Sequence, residues 1–164
     1  ALYAAVVDSS LPLGEAAKLE QSTEHELGAD VIVDDYFDTT KDGISKLQTM
    51  ISSEQIDVVI APPTVFKELA SYGYFSNLHE ALPATEYGQL HAYTQDFRGF
   101  DDSQLADDVD DSGSGKGAAE PYGLKLECAG EWHRYADGSD ALVGIVANTK
   151  QQANAQRFID YLYH

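Results

Sequence analysis

Ile56-Asp57-Val58-Val59-Ile60-Ala61-Pro62-Pro63-Thr64 is the stretch on which the fold turns. One charge among five apolar residues reads as a strand buried on both faces, as in a parallel sheet. The prolines end it, because proline has no N–H to give a central strand. At the start of a helix the same missing donor costs nothing. A helix is therefore expected from Val65 to Tyr72, stopped by Gly73. Toward the N-terminus, Leu2 to Val7 is another continuous apolar run, ending at Asp8-Ser9-Ser10. Gly14 to Leu27 places Ala16, Leu19, Thr23 and Leu27 at spacings of three and four, one face of a helix closed by Gly28. Asp30 to Val33 reads as a strand, with Asp34-Asp35 as the turn after it. Ile44, Leu47 and Ile51, with Met50 beside them, mark the next helix, capped by Thr39, Thr40 or Asp42.

Toward the C-terminus, Asn77 to Leu82 reads as a short helical turn before Pro83, and Leu90 to Thr94 as a strand. Asp101 to Glu120 is acidic, then rich in glycine and serine, the composition of a mobile surface loop. Tyr122 to Ala129 and Ala141 to Ala147 are strand-like, separated by a polar turn at Ala136 to Ser139. Thr149 to Leu162 is a helix burying Ala155, Phe158, Ile159 and Leu162. Strands alternating with helices of this length imply a three-layer α/β fold with a parallel-type sheet. The expected organisation is one domain over 1–164. Its core lobe is 1–89 plus 140–164, and its inserted segment is 90–139, carrying the acidic loop 101–120.

Composition narrows the partners. With 164 residues and 43% of them apolar, the chain can bury a core without metals or disulfides. Its 28 Asp and Glu against 10 Lys and Arg give a formal charge of -18. Such a surface repels nucleic acid and anionic membranes and leaves cationic ligands or basic partners, unless the acidity serves solubility alone. No apolar run approaches the length of a membrane span, so direct insertion is not expected. Cys128 is the only cysteine, which excludes an intramolecular disulfide, and an inert buried thiol is expected there. The first residues already read as a strand, which suggests an upstream anchor or signal.

Ligands of parallel α/β sheets sit beyond the carboxyl ends of the strands. The candidate ligand-binding residues are therefore Asp8, Ser9, Ser10, Asp34, Asp35, Tyr36, Pro63 and Thr64. Their carboxylates could hold an ammonium group and their hydroxyls orient it. Helix capping and loop solvation would explain the same residues. Asp108 to Gly115 resembles a calcium loop, but Ala119 stands where the bidentate Glu belongs, so a solvated acidic loop is expected. The five histidines have no metal-binding spacing. Gly113, Gly115 and Gly117 with Lys116 lack the context of a phosphate loop. Trp132 with Tyr135, Tyr122 and Tyr93 could be a ligand platform or simply core. No catalytic motif is present, so no enzyme, metal or cofactor is expected.

Two segments carry a resemblance. Ile56 to Ala61, followed by Tyr72-Gly73-Tyr74-Phe75-Ser76-Asn77-Leu78, looks like the third strand–helix unit of type 2 solute-binding proteins. Leu142 to Thr149, followed by Ala153-Asn154-Ala155-Gln156-Arg157-Phe158-Ile159-Asp160-Tyr161-Leu162, is similar to that family's terminal strand–helix unit. The resemblance covers the first 83 residues and the last 25. It implies a type 2 periplasmic-binding-protein-like lobe with a much reduced second lobe, confined to about Leu90 to Glu131. It further implies a domain on the extracellular or periplasmic side, tethered by a lipoprotein or signal anchor and binding a small molecule or peptide, with a permease or cell-surface protein as partner. The alternative is a cell-surface interaction module with no small ligand.

Overall fold

Strand and helix alternate through the first half, as the apolar runs require. Leu2–Val7 (β1) leads to a helix over Glu15–Leu27 (α1), then Val31–Phe37 (β2), a helix over Gly43–Ser52 (α2), Val58–Ala61 (β3) and a helix over Pro63–Ser71 (α3). The computed structural model describes residues 1–8, 10–101, 113–136 and 140–164. Two short helices follow α3, Leu78–Ala81 (α4) and Ala84–Leu90 (α5); then come Thr94–Arg98 (β4), Ala119–Lys125 (β5), Leu142–Ile145 (β6) and Gln152–Leu162 (α6). The six strands form one mixed sheet in the order β2-β1-β3-β6-β5-β4.

β1 pairs parallel with both β2 and β3. β6 runs antiparallel to β3, β5 to β6, and β4 to β5. The expected parallel-type sheet thus holds for three strands only. A parallel neighbour needs a long crossover, which α1 and α2 supply between β1, β2 and β3, whereas β4, β5 and β6 run antiparallel to their neighbours. The segment 90–139 supplies β4 and β5 to this same sheet.

Helices cover both faces. Leu2, Ala4 and Val6 point into a cluster shared with Leu19 of α1 and Phe158, Ile159 and Leu162 of α6. Ala5 and Val7 point the other way, toward Leu47 and Ile51 of α2 and Phe66 and Leu69 of α3. This two-sided burial is what the continuous apolar runs encode. Ala16, Leu19, Thr23 and Leu27 are the buried residues of α1, and Ala155, Phe158, Ile159 and Leu162 those of α6, as their spacing requires. Trp132 is fully buried in the first cluster, on a 3-10 turn over Trp132–Arg134. Beside it Glu131, also buried, accepts hydrogen bonds from Tyr161 (3.0 Å) and pairs with Arg134 (3.2 Å).

Three local expectations are corrected. Asp34 and Asp35 do not form a turn after Val33; β2 runs on through them to Phe37. A register shift between Ala5 and Val7 lets Phe37 pair with Val7, and its ring is buried. Leu90 to Thr94 is no strand: α5 ends at Leu90, a 3-10 turn follows, and β4 begins only at Thr94. Cys128 ends a 3-10 turn after β5 and is exposed, not buried.

Candidate functional site

The carboxyl ends of β1, β2 and β3 lie along one edge of the sheet because these strands are parallel. Asp8 closes β1 in the left-handed region at φ 55. Its N–H donates to the Phe37 carbonyl at 2.8 Å. Its carboxylate accepts from the Thr39 N–H at 2.8 Å and from the Thr39 hydroxyl at 2.7 Å. Asp8 is thus a brace between the two loops, with both oxygens occupied. Ser10 donates to the Val7 carbonyl at 2.8 Å. Asp34 accepts from the Tyr3 hydroxyl and from the Tyr36 N–H at 3.0 Å. Burial, then the bond to Asp34, raises the Tyr3 hydroxyl above its usual range. Asp38 accepts from the Thr40 hydroxyl and N–H, bonds that hold its carboxyl below the usual carboxylate range. Pro63 and Thr64 begin α3, on the opposite face of the sheet from α1.

A groove of about 570 Å³ opens where β2 meets the loop before α1. Leu11, Pro12 and Leu13 form its loop wall, Ala16, Ala17 and Glu20 its helix wall, and Val33, Asp35 and Tyr36 its strand wall. Gly14 joins loop to helix at φ 86, a conformation that favours glycine. Glu20 is partly committed, accepting from the Val33 N–H at 2.9 Å. Glu24, one turn along α1, accepts from the Val31 N–H at 3.2 Å. The two carboxylates thereby cover the outer N–H groups of an edge strand. Asp35 has no hydrogen-bond or ion-pair partner among the described residues. Leu13 and Tyr36 stand on the lips, 98% and 81% exposed, where large apolar side chains find no internal reason to be.

Of the expected site residues, the groove gathers Asp35 and Tyr36. Asp8, Ser10, Asp34, Pro63 and Thr64 sit near the strand ends but do not line it, and Ser9 lies outside the described residues. Leu11, Leu13 and Glu20 belong to it without having been expected. The signal for the two leucines was the apolar run Leu11-Pro12-Leu13, set in a loop that otherwise reads as polar; nothing in the sequence marks Glu20. The calcium-like Asp108 to Gly115 falls mostly outside the described residues, and among those described no cluster of three or more ligating side chains could hold a metal. Nor do the aromatics form a platform. Trp132 is core, Tyr93 stacks on Tyr163, and Tyr122 packs against the cluster on the far face.

The chain matches no protein-family model, no curated protein and no solved structure. Among the described residues no helix is long and apolar enough to cross a membrane.

Proposed function

We propose that this chain is an extracytoplasmic solute-binding-like domain, akin to one lobe of a type 2 periplasmic binding protein, which binds a small molecule or peptide and performs no chemistry on it. The observation that carries the reading is the groove at the carboxyl edge of β1 and β2, bounded by an apolar loop and carrying the carboxylate of Asp35, which has no partner among the described residues. Three parallel strands bring the ends of β1 and β2 to one side of the sheet, where α1 walls the groove. The polar groups nearest the strand ends favour binding over catalysis. The Ser10 hydroxyl is spent on a backbone carbonyl, and Asp8 on Thr39. Cys128 is exposed, and the His133 ring nitrogen contacts the Glu127 carbonyl. An upstream tether and a permease or cell-surface partner belong to this proposal.

A thermal-shift screen against amino acids, polyamines, sugars and short peptides tests it, because a ligand of the native state raises Tm by mass action. A rise of several degrees that disappears in Asp35→Asn is the expected result. A flat response from every class would sink the receptor reading. A second reading, an interaction module with no small ligand, is favoured by the exposure of Leu13 and Tyr36. It predicts the same flat response.

A further inference from the structure

The groove's chemistry says more about its occupant. We propose that it receives a stretch of polypeptide in which an apolar side chain neighbours a lysine or arginine; this rests on the binding reading above. Charge comes first. Among the described residues, the only charged side chains lining the groove are Glu20 and Asp35, and no lysine or arginine lines it. Asp35 is half-buried beside apolar surface and has no partner among the described residues, so a ligand cation would gain from pairing with it. The chain's charge of -18 steers cations toward it and repels a second copy of itself.

Shape comes second. Sites for small solutes enclose most of the ligand's surface. This groove is open along one side, and Leu13 and Tyr36 project from its lips. A free amino acid seated against Asp35 would leave these two side chains in water. A chain running past the lips would cover both, and taking their exposed apolar surface out of water favours association. The backbone of β2 takes little part. The N–H groups of Val31 and Val33 are already occupied by Glu24 and Glu20, so a ligand cannot add there as a further strand. Recognition falls to side chains, an apolar residue against Leu11, Leu13 and Tyr36 and a cation against Asp35.

Fluorescence anisotropy on the whole chain tests this with three labelled peptides of equal length. One mixes Lys and Leu, one replaces Leu by Ser, and one replaces Lys by Glu. The Lys-Leu peptide should bind about tenfold more tightly than either of the others at physiological salt. Asp35→Asn and Leu13→Ser should each weaken it about fivefold or more, with melting curves unchanged, since neither side chain is engaged internally. Glu127→Gln, an exposed carboxylate elsewhere, should leave binding as it was. Equal binding of the Lys-Ser peptide, or equal weakening by Glu127→Gln and Asp35→Asn, would reduce the effect to general attraction and overturn the proposal. If free amino acids or sugars raise Tm while no peptide binds, the peptide inference falls and the receptor reading stands. If nothing binds, both fall.

Discussion

At the scale of single residues, Asp8 shows how a carboxylate at a strand end can serve the fold. Its two oxygens and its N–H tie the end of β1 to the loop after β2. Asp8→Ala should therefore destabilise the domain by about 1–3 kcal/mol in urea unfolding, chiefly because the Thr39 N–H and hydroxyl lose their acceptor. Lost binding in that variant would not identify a ligand contact, whereas Asp35→Asn can. Glu86, on α5, behaves differently. One carboxyl oxygen is cut off from solvent without a hydrogen-bond partner. Burial, with the nearby charge of Asp160 on α6, pushes its carboxyl up to about 7. A carboxyl raised in the folded state binds its proton more tightly there than in the unfolded chain. Its contribution is fully present below the ordinary value of 4.5 and is lost as pH rises through about 7. Stability measured at pH 8 should thus be lower than at pH 5 by an amount that shrinks in Glu86→Gln, with a gain for that variant at pH 8.

At the scale of elements, β2 is an edge strand whose outward N–H groups would otherwise invite another strand. Two glutamates one turn apart on α1 cover them. The double variant Glu20→Ala, Glu24→Ala should stay folded and show concentration-dependent self-association by size-exclusion chromatography. Unchanged monomer at high concentration would deny the glutamates this role. The elements also show how far the sequence is legible. The stripes of α1 and α6 were readable to the residue because each buries four side chains at helical spacing. α5 was not, since only Leu90 among its seven residues is buried and no stripe exists to see. The end of β2 was hidden by Asp34-Asp35, a turn-like pair kept in the strand by the bulge in β1 pairing and by hydrogen bonds from Tyr3 and Tyr36 to Asp34. The sequence located the edge that would carry the groove and two of its lining residues. The loop wall escaped because its exposure is a tertiary property.

At the scale of the whole molecule, 28 acids against 10 bases make self-repulsion a standing load on the fold. Moderate salt should raise Tm, most steeply where the screening length falls from about 30 to about 10 Å, between roughly 0.01 and 0.1 M. No rise over that range would mean that the charges are already balanced locally. Asp57 illustrates the opposite use of a charge. Buried at the foot of β3, it accepts from the Tyr3 N–H at 2.8 Å and the Thr149 hydroxyl at 2.6 Å, joining β1, β3 and the turn into α6. The buried Trp132 has an optical consequence. It is the chain's only indole, so intrinsic emission on excitation of tryptophan comes from one place, the seam where the 3-10 turn meets α6. Its spectrum is a gauge of whether that seam is dry. Trp132 shares its apolar cluster with Leu11, Ala16 and Val33 of the groove wall, so a ligand beside Asp35 that shifts that wall should change the colour of this emission, and one that leaves the wall in place should not.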